Sequence, residues 1–241
     1  MFSISQMLES HVPKTISGVV KLEHHGLVSE TRLVCTVFLG FPSLLQDFSL
    51  DNLQGIFTLV QRKLDETNGG FLQMRFDEKG FVIICGYGLP GHTEKGMARK
   101  AIKMACEIVT ELRVGLGHEA VAGITRGLGF CACIGSEERT EYSVFDEKVN
   151  LAARLMSLAE GGRYRYPVLC DENTYEIVAN SQDDEWKFEA LPPVPIKGFS
   201  STMQVYAVSR VCSSTGLVNR EGDLSQYGIS FDFFVGMWGP A

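Results

Sequence analysis

Two periods of apolar residue alternate along this chain, and together they predict its elements in order. Residues 32–41 (RLVCTVFLGF) form a nearly unbroken apolar run, the pattern of a central strand covered on both faces, and Pro42 ends it. Leu50, Leu53, Ile56, Phe57, Val60 and Leu64 then recur at helical spacing. They predict an amphipathic helix over residues 50–67 that stops at Asn68-Gly69-Gly70. FLQMRF and FVIICG follow as two strands joined by Asp77-Glu78-Lys79-Gly80, a polar turn ending in glycine. Thr93 predicts the cap of a second helix, whose apolar face runs from Met97 and Ala98 through Ile102 and Ile108 to Leu112. Residues 119–125 and 128–134 read as two strands with Arg126-Gly127 between them.

The order β-α-β-β-α-β is that of a ferredoxin-like core sheet, an α/β (α+β) fold with helices on one face. Tyr142–Phe145, a helix from about Asp146 to Leu158, a strand at 167–170, a short helix at 172–179 and a strand at 203–208 elaborate it. Residues 3–10 read as a short helix before Pro13. The expected organisation is a lead-in segment over 1–31, a main domain over 32–211 and a tail over 212–241, rich in Gly, Ser and aromatic residues.

Composition narrows the function classes. At 241 residues, 45% hydrophobic and 21% charged, the chain can bury a sizeable core and folds as one main domain. A net charge of −7 speaks against a partner that is nucleic acid, because a grip on phosphate backbones needs a basic stripe. No apolar run approaches the roughly 20 residues that span a bilayer. The N-terminus also has no signal-peptide pattern. The expectation is a cytoplasmic protein, or a soluble segment of a larger one, without membrane insertion. Seven cysteines are an odd number, and Cys35, Cys85, Cys106, Cys131 and Cys133 lie inside apolar stretches, where they read as core residues rather than a disulfide framework. His24-His25 reads as a polar connection.

Chemistry concentrates in residues 129–155, a strand, a charged loop, a short strand and a helix. Asp146 and Glu147 stand in the first helical turn, where the macrodipole favours negative charge. Asn150 and Arg154 are spaced i, i+4 and so project from one face. By composition alone Arg154 reads as a solvated residue. Asn150 is less ordinary, because Asn is a poor helix former whose presence beside two alanines suggests that its amide is used.

EYSVFDEKVNLAAR, with GLGFCACIG before it, resembles the class III adenylyl and guanylyl cyclases. The likeness is nearest to the second catalytic domain of that family's soluble, bicarbonate-responsive adenylyl cyclases. ETRLVCTVFLGF, NGGFLQMRFDEKGFVIICGYGLPG and PIKGFSSTMQVYAV carry the same likeness, so that it covers roughly residues 5–209. The resemblance implies a class III cyclase domain that pairs head to tail with a homologous one, ATP or GTP binding between them. One half holds Mg²⁺ or Mn²⁺ on two aspartates, and the other supplies purine contacts together with an Asn and an Arg. On this reading the chain is the second kind of half: Asn150 orients the ribose, Arg154 stabilises the transition-state phosphate and Ser143 hydrogen-bonds the purine. Lys197 is a weaker candidate for the terminal phosphates.

The chain departs from the family pattern where the metals bind. Gly40 stands at the first metal aspartate, and Asp77 or Glu78 stands only near the second, so the metals are expected mainly on the partner domain. Met74 occupies the place of the lysine that adenylyl cyclases use in purine binding. The expected function is therefore adenylate cyclase activity in a heterodimer with a metal-bearing domain. The alternative is an inactive cyclase-like domain with a regulatory or structural role, which Gly40 and Met74 favour. A ferredoxin-like nucleic-acid binder is disfavoured by the charge and by the lack of a basic-aromatic strand.

Overall fold

Strand β1 (Ser29–Phe41) explains its own composition: Cys35, Val37, Leu39 and Phe41 point to one face of the sheet, Phe38 and Gly40 to the other, and helices cover both. The computed structural model describes residues 29–45, 48–77, 80–90, 95–135, 140–162, 166–181, 185–199 and 201–211. The chain divides into two units, Met1–Ser209 and Arg210–Ala241, and the second is described only at Arg210 and Val211. The predicted helix at 3–10, His24-His25, Thr93 and the tail 212–241 lie outside the described residues.

The remaining elements are α1 (Leu50–Thr67), β2 (Gly70–Asp77), β3 (Gly80–Tyr87), α2 (Met97–Glu111), β4 (Val121–Gly135), β5 (Thr140–Phe145), α3 (Glu147–Glu160), β6 (Val168–Asp171), α4 (Glu172–Ala179), β7 (Trp186–Ala190), β8 (Val194–Pro195), β9 (Thr202–Met203) and β10 (Val205–Arg210). The main sheet runs β2-β3-β1-β4-β6-β10-β7, with β5 paired to β4, while β8 and β9 form a separate two-stranded sheet. β1 is antiparallel to both β3 and β4, and β4 runs parallel to β6. The mixed sheet with its βαββαβ start is the expected ferredoxin-like core.

Helix α1 has the predicted bounds, and its ends show why. Ser49 caps it by accepting the Asn52 N–H at 3.1 Å, and Asn68, in the left-handed region at φ 58°, ends it. Ile56, Val60 and Leu64 are buried against the odd face of β1 together with Ala101, Ile102, Ala105 and Ile108 of α2. Leu50, placed on the apolar face by its spacing, is instead 75% exposed, because it lies at the first residue of the helix, beyond the sheet's cover. Lys63 is buried between α1 and α2, bonded to Glu107 at 3.1 Å and to Glu111 at 2.5 Å. Burial alone works against its charge, but the Glu111 and Glu107 carboxylates outweigh it and hold the ammonium above the ordinary lysine range.

Three expectations are corrected, and one strand is added. Residues 119–134 are not two strands: β4 is continuous, because Arg126 and Gly127 stay paired with Cys35 and Val34 of β1. Helix α2 begins at Met97, after Gly96, so Thr93 is not its cap. The strand at 203–208 breaks at Gln204, whose side-chain amide donates to the Leu191 and Val205 carbonyls, leaving β9 to pair with β8 and β10 with β6. β7 was not predicted at all, although Trp186 and Phe188 alternate with Lys187 and Glu189 as an exposed strand should.

On the opposite face of the sheet, α3 lies against β4 and β1, burying Leu151, Leu155, Met156 and Ala159 with Val121, Leu169, Val205 and Ala207. Its backbone touches the strand directly: a Cβ on Gly123 would run into the Ala152 carbonyl oxygen and the Met156 amide nitrogen. Gly123→Ala should therefore push α3 from the sheet and cost about 3 kcal/mol or more, at the upper end of overpacking penalties. Urea unfolding measures it, and an unchanged midpoint contradicts this packing.

Candidate active site

The β4–β5 hairpin delivers the chain into α3. β5 pairs with the far half of β4, Ser143 opposite Ala132 and Phe145 opposite Phe130, and Asp146 then turns into the helix. Leu128, Phe130 and Ile134 alternate along one face of β4 and stay exposed, as does Phe145. Ser143 thus stands, half-buried, in an apolar surface. On the reverse face Cys131 and Tyr142 are buried with Val34 and Leu89, and Cys133 packs beside them. Burial pushes the Tyr142 hydroxyl well above the usual tyrosine range, and the neighbouring Cys131 thiol adds to this. The cysteines at 131 and 133 are thus packing residues.

Asn150 and Arg154 are both exposed, one turn apart on α3, while Leu151, Ala152 and Leu155 beside them are buried. The helix therefore pins the two polar side chains on its solvent side by burying its other face. Ser143, Asn150 and Arg154 come from consecutive elements, and no intervening segment separates β5 from α3 except the Asp146 cap.

Lys197 is exposed at a tight turn. The Phe199 N–H donates to the Ile196 carbonyl at 3.0 Å, and Gly198 has φ 96°, which is the geometry of a type II turn with Lys197 at its second position. Ile196 is buried and anchors the turn in the core beneath α3. Met74 is 46% exposed on β2, the edge strand, and β3, β1 and β4 lie between it and β5. Strand pairing therefore does not set Met74 beside Ser143. Its register opposite Ile83 leaves Gln73 and Arg75 on the other face of β2.

Gly40 is buried under α3. A Cβ there would stand 3.0 Å from the Met156 sulfur and 3.1 Å from a Val121 methyl. The space that a side chain at position 40 would need is filled by Met156, an apolar residue from the helix that carries Arg154. Such a site does not fit a hard divalent cation, which takes oxygen ligands. Asp77 ends β2 at the hairpin, and Glu78 lies outside the described residues. Among the described residues, no group of three or more His, Cys, Asp or Glu comes together to hold a metal. Met156 escaped the sequence reading because nothing local marks a methionine as the neighbour of a glycine more than a hundred positions earlier.

Among the described residues, no helix is long and apolar enough to cross a membrane. The chain is similar to known proteins in sequence and in fold. The sequence is 28% identical over 208 residues to human (Homo sapiens) adenylate cyclase type 10, covering 84% of this chain but only 12% of that protein, so the chain spans about an eighth of that relative. In fold it is similar to a bacterial light-regulated adenylyl cyclase, with a TM-score of 0.67, 15% identity and coverage of 90% of this chain and 65% of that one. It is also similar to the adenylyl cyclase CyaB of P. aeruginosa, with a TM-score of 0.63, 20% identity and coverage of 78% and 97%. The family described as the adenylate and guanylate cyclase catalytic domain matches residues 50–210, well over half of the chain, and the chain belongs to that family.

Proposed function

We propose that this domain is the metal-free half of a composite adenylate cyclase site, pairing with a homologous domain that brings Mg²⁺ or Mn²⁺. The observation that carries the reading is the contrast on α3: Asn150 and Arg154 are presented to solvent, while Met156, half a turn further, closes the position at which a metal ligand would stand. The family's two halves divide the work along this line. The exposed apolar surface around Ser143, formed by Leu128, Phe130, Ile134 and Phe145, supports a pairing face, since soluble domains rarely leave such a patch uncovered.

In the reaction the ribose 3′-oxygen attacks the α-phosphorus of ATP and loses its proton, the bond to the β-phosphate breaks, and cyclic AMP and pyrophosphate result. The partner's metals supply Lewis-acid stabilisation of the phosphates. This chain contributes the rest. The Asn150 amide holds the ribose, and the Arg154 guanidinium, fixed by the burial of its helix, meets the charge that develops on the α-phosphate. The Ser143 hydroxyl donates to or accepts from the purine, a chemistry that suits adenine or guanine. Lys197 reaches the terminal phosphates as a point charge.

Mixed with a metal-bearing cyclase domain, Mn²⁺ and ATP, the chain should form cyclic AMP, and Arg154→Ala should lower kcat about 10²–10³-fold, the loss typical of one transition-state donor. Asn150→Ala should lower it as well. Full activity in both variants, or silence in a mixture whose pairing is demonstrated, moves the function to a regulatory cyclase-like module. Running GTP in parallel reads the purine preference.

Restoring a carboxylate in this chain alone should not make a site. Gly40→Asp should lose about 3 kcal/mol from overpacking and from burying an unpaired carboxyl, with no gain in Mn²⁺ affinity. Thermal unfolding and a Mn²⁺ titration check it; a stable variant that gains a Mn²⁺ site contradicts the closure by Met156.

A further inference from the structure

The first turn of α3 is held in an unusual way. Asp146, its cap residue, makes no side-chain cap hydrogen bond; its carboxylate leans instead over Gly127 of β4, where an oxygen would stand 2.9 Å from a Cβ. Lys148 takes over the anchoring. Its stem crosses the same glycine, with Cγ 2.6 Å from where a Cβ would be, and its ammonium donates to Asp171 at 3.2 Å. Its carbonyl accepts the Thr125 hydroxyl at 2.8 Å. The helix start is thereby tied to β4 twice and to the end of β6 once.

Asp171 is itself fixed. It is only 2% exposed, and its other oxygen accepts from the Thr174 N–H at 3.1 Å and the Thr174 hydroxyl at 2.6 Å, which caps α4. One carboxylate therefore locks the start of two helices: it caps α4 by hydrogen bonds and holds α3 by a charge. A buried carboxylate is tolerated here because both oxygens have partners, one of them a cation.

Resting on the proposed cyclase reading, we infer that Lys148 and Asp171 are positioning residues for Asn150 and Arg154, setting the azimuth and height of the first turns of α3 on the sheet. Asn150 lies two residues beyond Lys148 and Arg154 six, so a helix start that drifts from β4 carries both side chains with it. A displacement of about 1 Å in a group that meets the transition state costs as much as 10²-fold in rate. Binding of the ground-state nucleotide, which also uses Ser143 and the partner domain, depends less on this alignment.

The test uses the full chain mixed with a metal-bearing cyclase domain, Mn²⁺ and ATP. Lys148→Met should lower kcat about 10–100-fold with KM for ATP unchanged. Asp171→Asn, which keeps an oxygen for Thr174 but removes the charge and the acceptor that faces Lys148, should do the same while melting close to the wild type. The double variant should be no worse than either single one, because the pair acts as one device. Lys148→Arg, which keeps a donor for Asp171, should restore most of kcat. Unchanged kcat in both single variants overturns the inference, as does a loss that merely follows the unfolded fraction or that adds in the double variant. Silence of the wild-type mixture is distinct: it removes the cyclase reading, and the inference with it.

Discussion

The contact on which the rest of the molecule depends is that of a helix backbone against a strand backbone. At Gly123 of β4 there is no side chain, and α3 settles close enough that its Ala152 carbonyl and Met156 amide fill the place of a Cβ. A helix packed through side chains can slide or rotate over a sheet by small repacking steps. One packed on a glycine has little room to do either. That constraint sets which residues of α3 are buried, and therefore which are left to face outward: Leu151, Leu155 and Met156 go down, and Asn150 and Arg154 remain at the surface.

The same helix sets what surrounds Gly40. Because α3 is so close to the sheet, Met156 lies across Gly40 of β1, which becomes part of an apolar seam. Exposure of Asn150 and Arg154 and the filling of the space over Gly40 are thus two results of one packing arrangement rather than separate events. Around the seam, the even face of β1 is covered by α3 and the odd face by α1 and α2, so the strand is the layer shared by both cores.

Much of this was legible in the sequence where the signal is local. The unbroken apolar run of β1 announced burial on two faces, the bounds of α1 followed from its apolar spacing and Asn68-Gly69-Gly70, and the Asn150–Arg154 spacing put both residues on one helical face. What failed was non-local. Arg126-Gly127 looks like a turn because a charge and a glycine interrupt the alternation, yet the pairing with Val34 and Cys35, ninety residues earlier, carries β4 straight through. Gly127 serves there as a place for Lys148 to cross, which no neighbouring residue reveals. Gln204 reads as an ordinary strand residue until the Leu191 carbonyl is brought beside it. Likewise, Met156 and Asp171 acquire meaning only from elements that the fold sets next to them.

The central claim, that this domain is one half of an asymmetric site, is tested most directly by titration. The chain is added in increments to a fixed amount of a metal-bearing cyclase domain with Mn²⁺ and ATP, and in parallel to buffer alone. Cyclic AMP formation should rise and saturate at one equivalent of this chain, with none from the chain alone at any concentration. Cyclic AMP made by the chain alone, or a complex that assembles at one equivalent without any rise in activity, would contradict the claim.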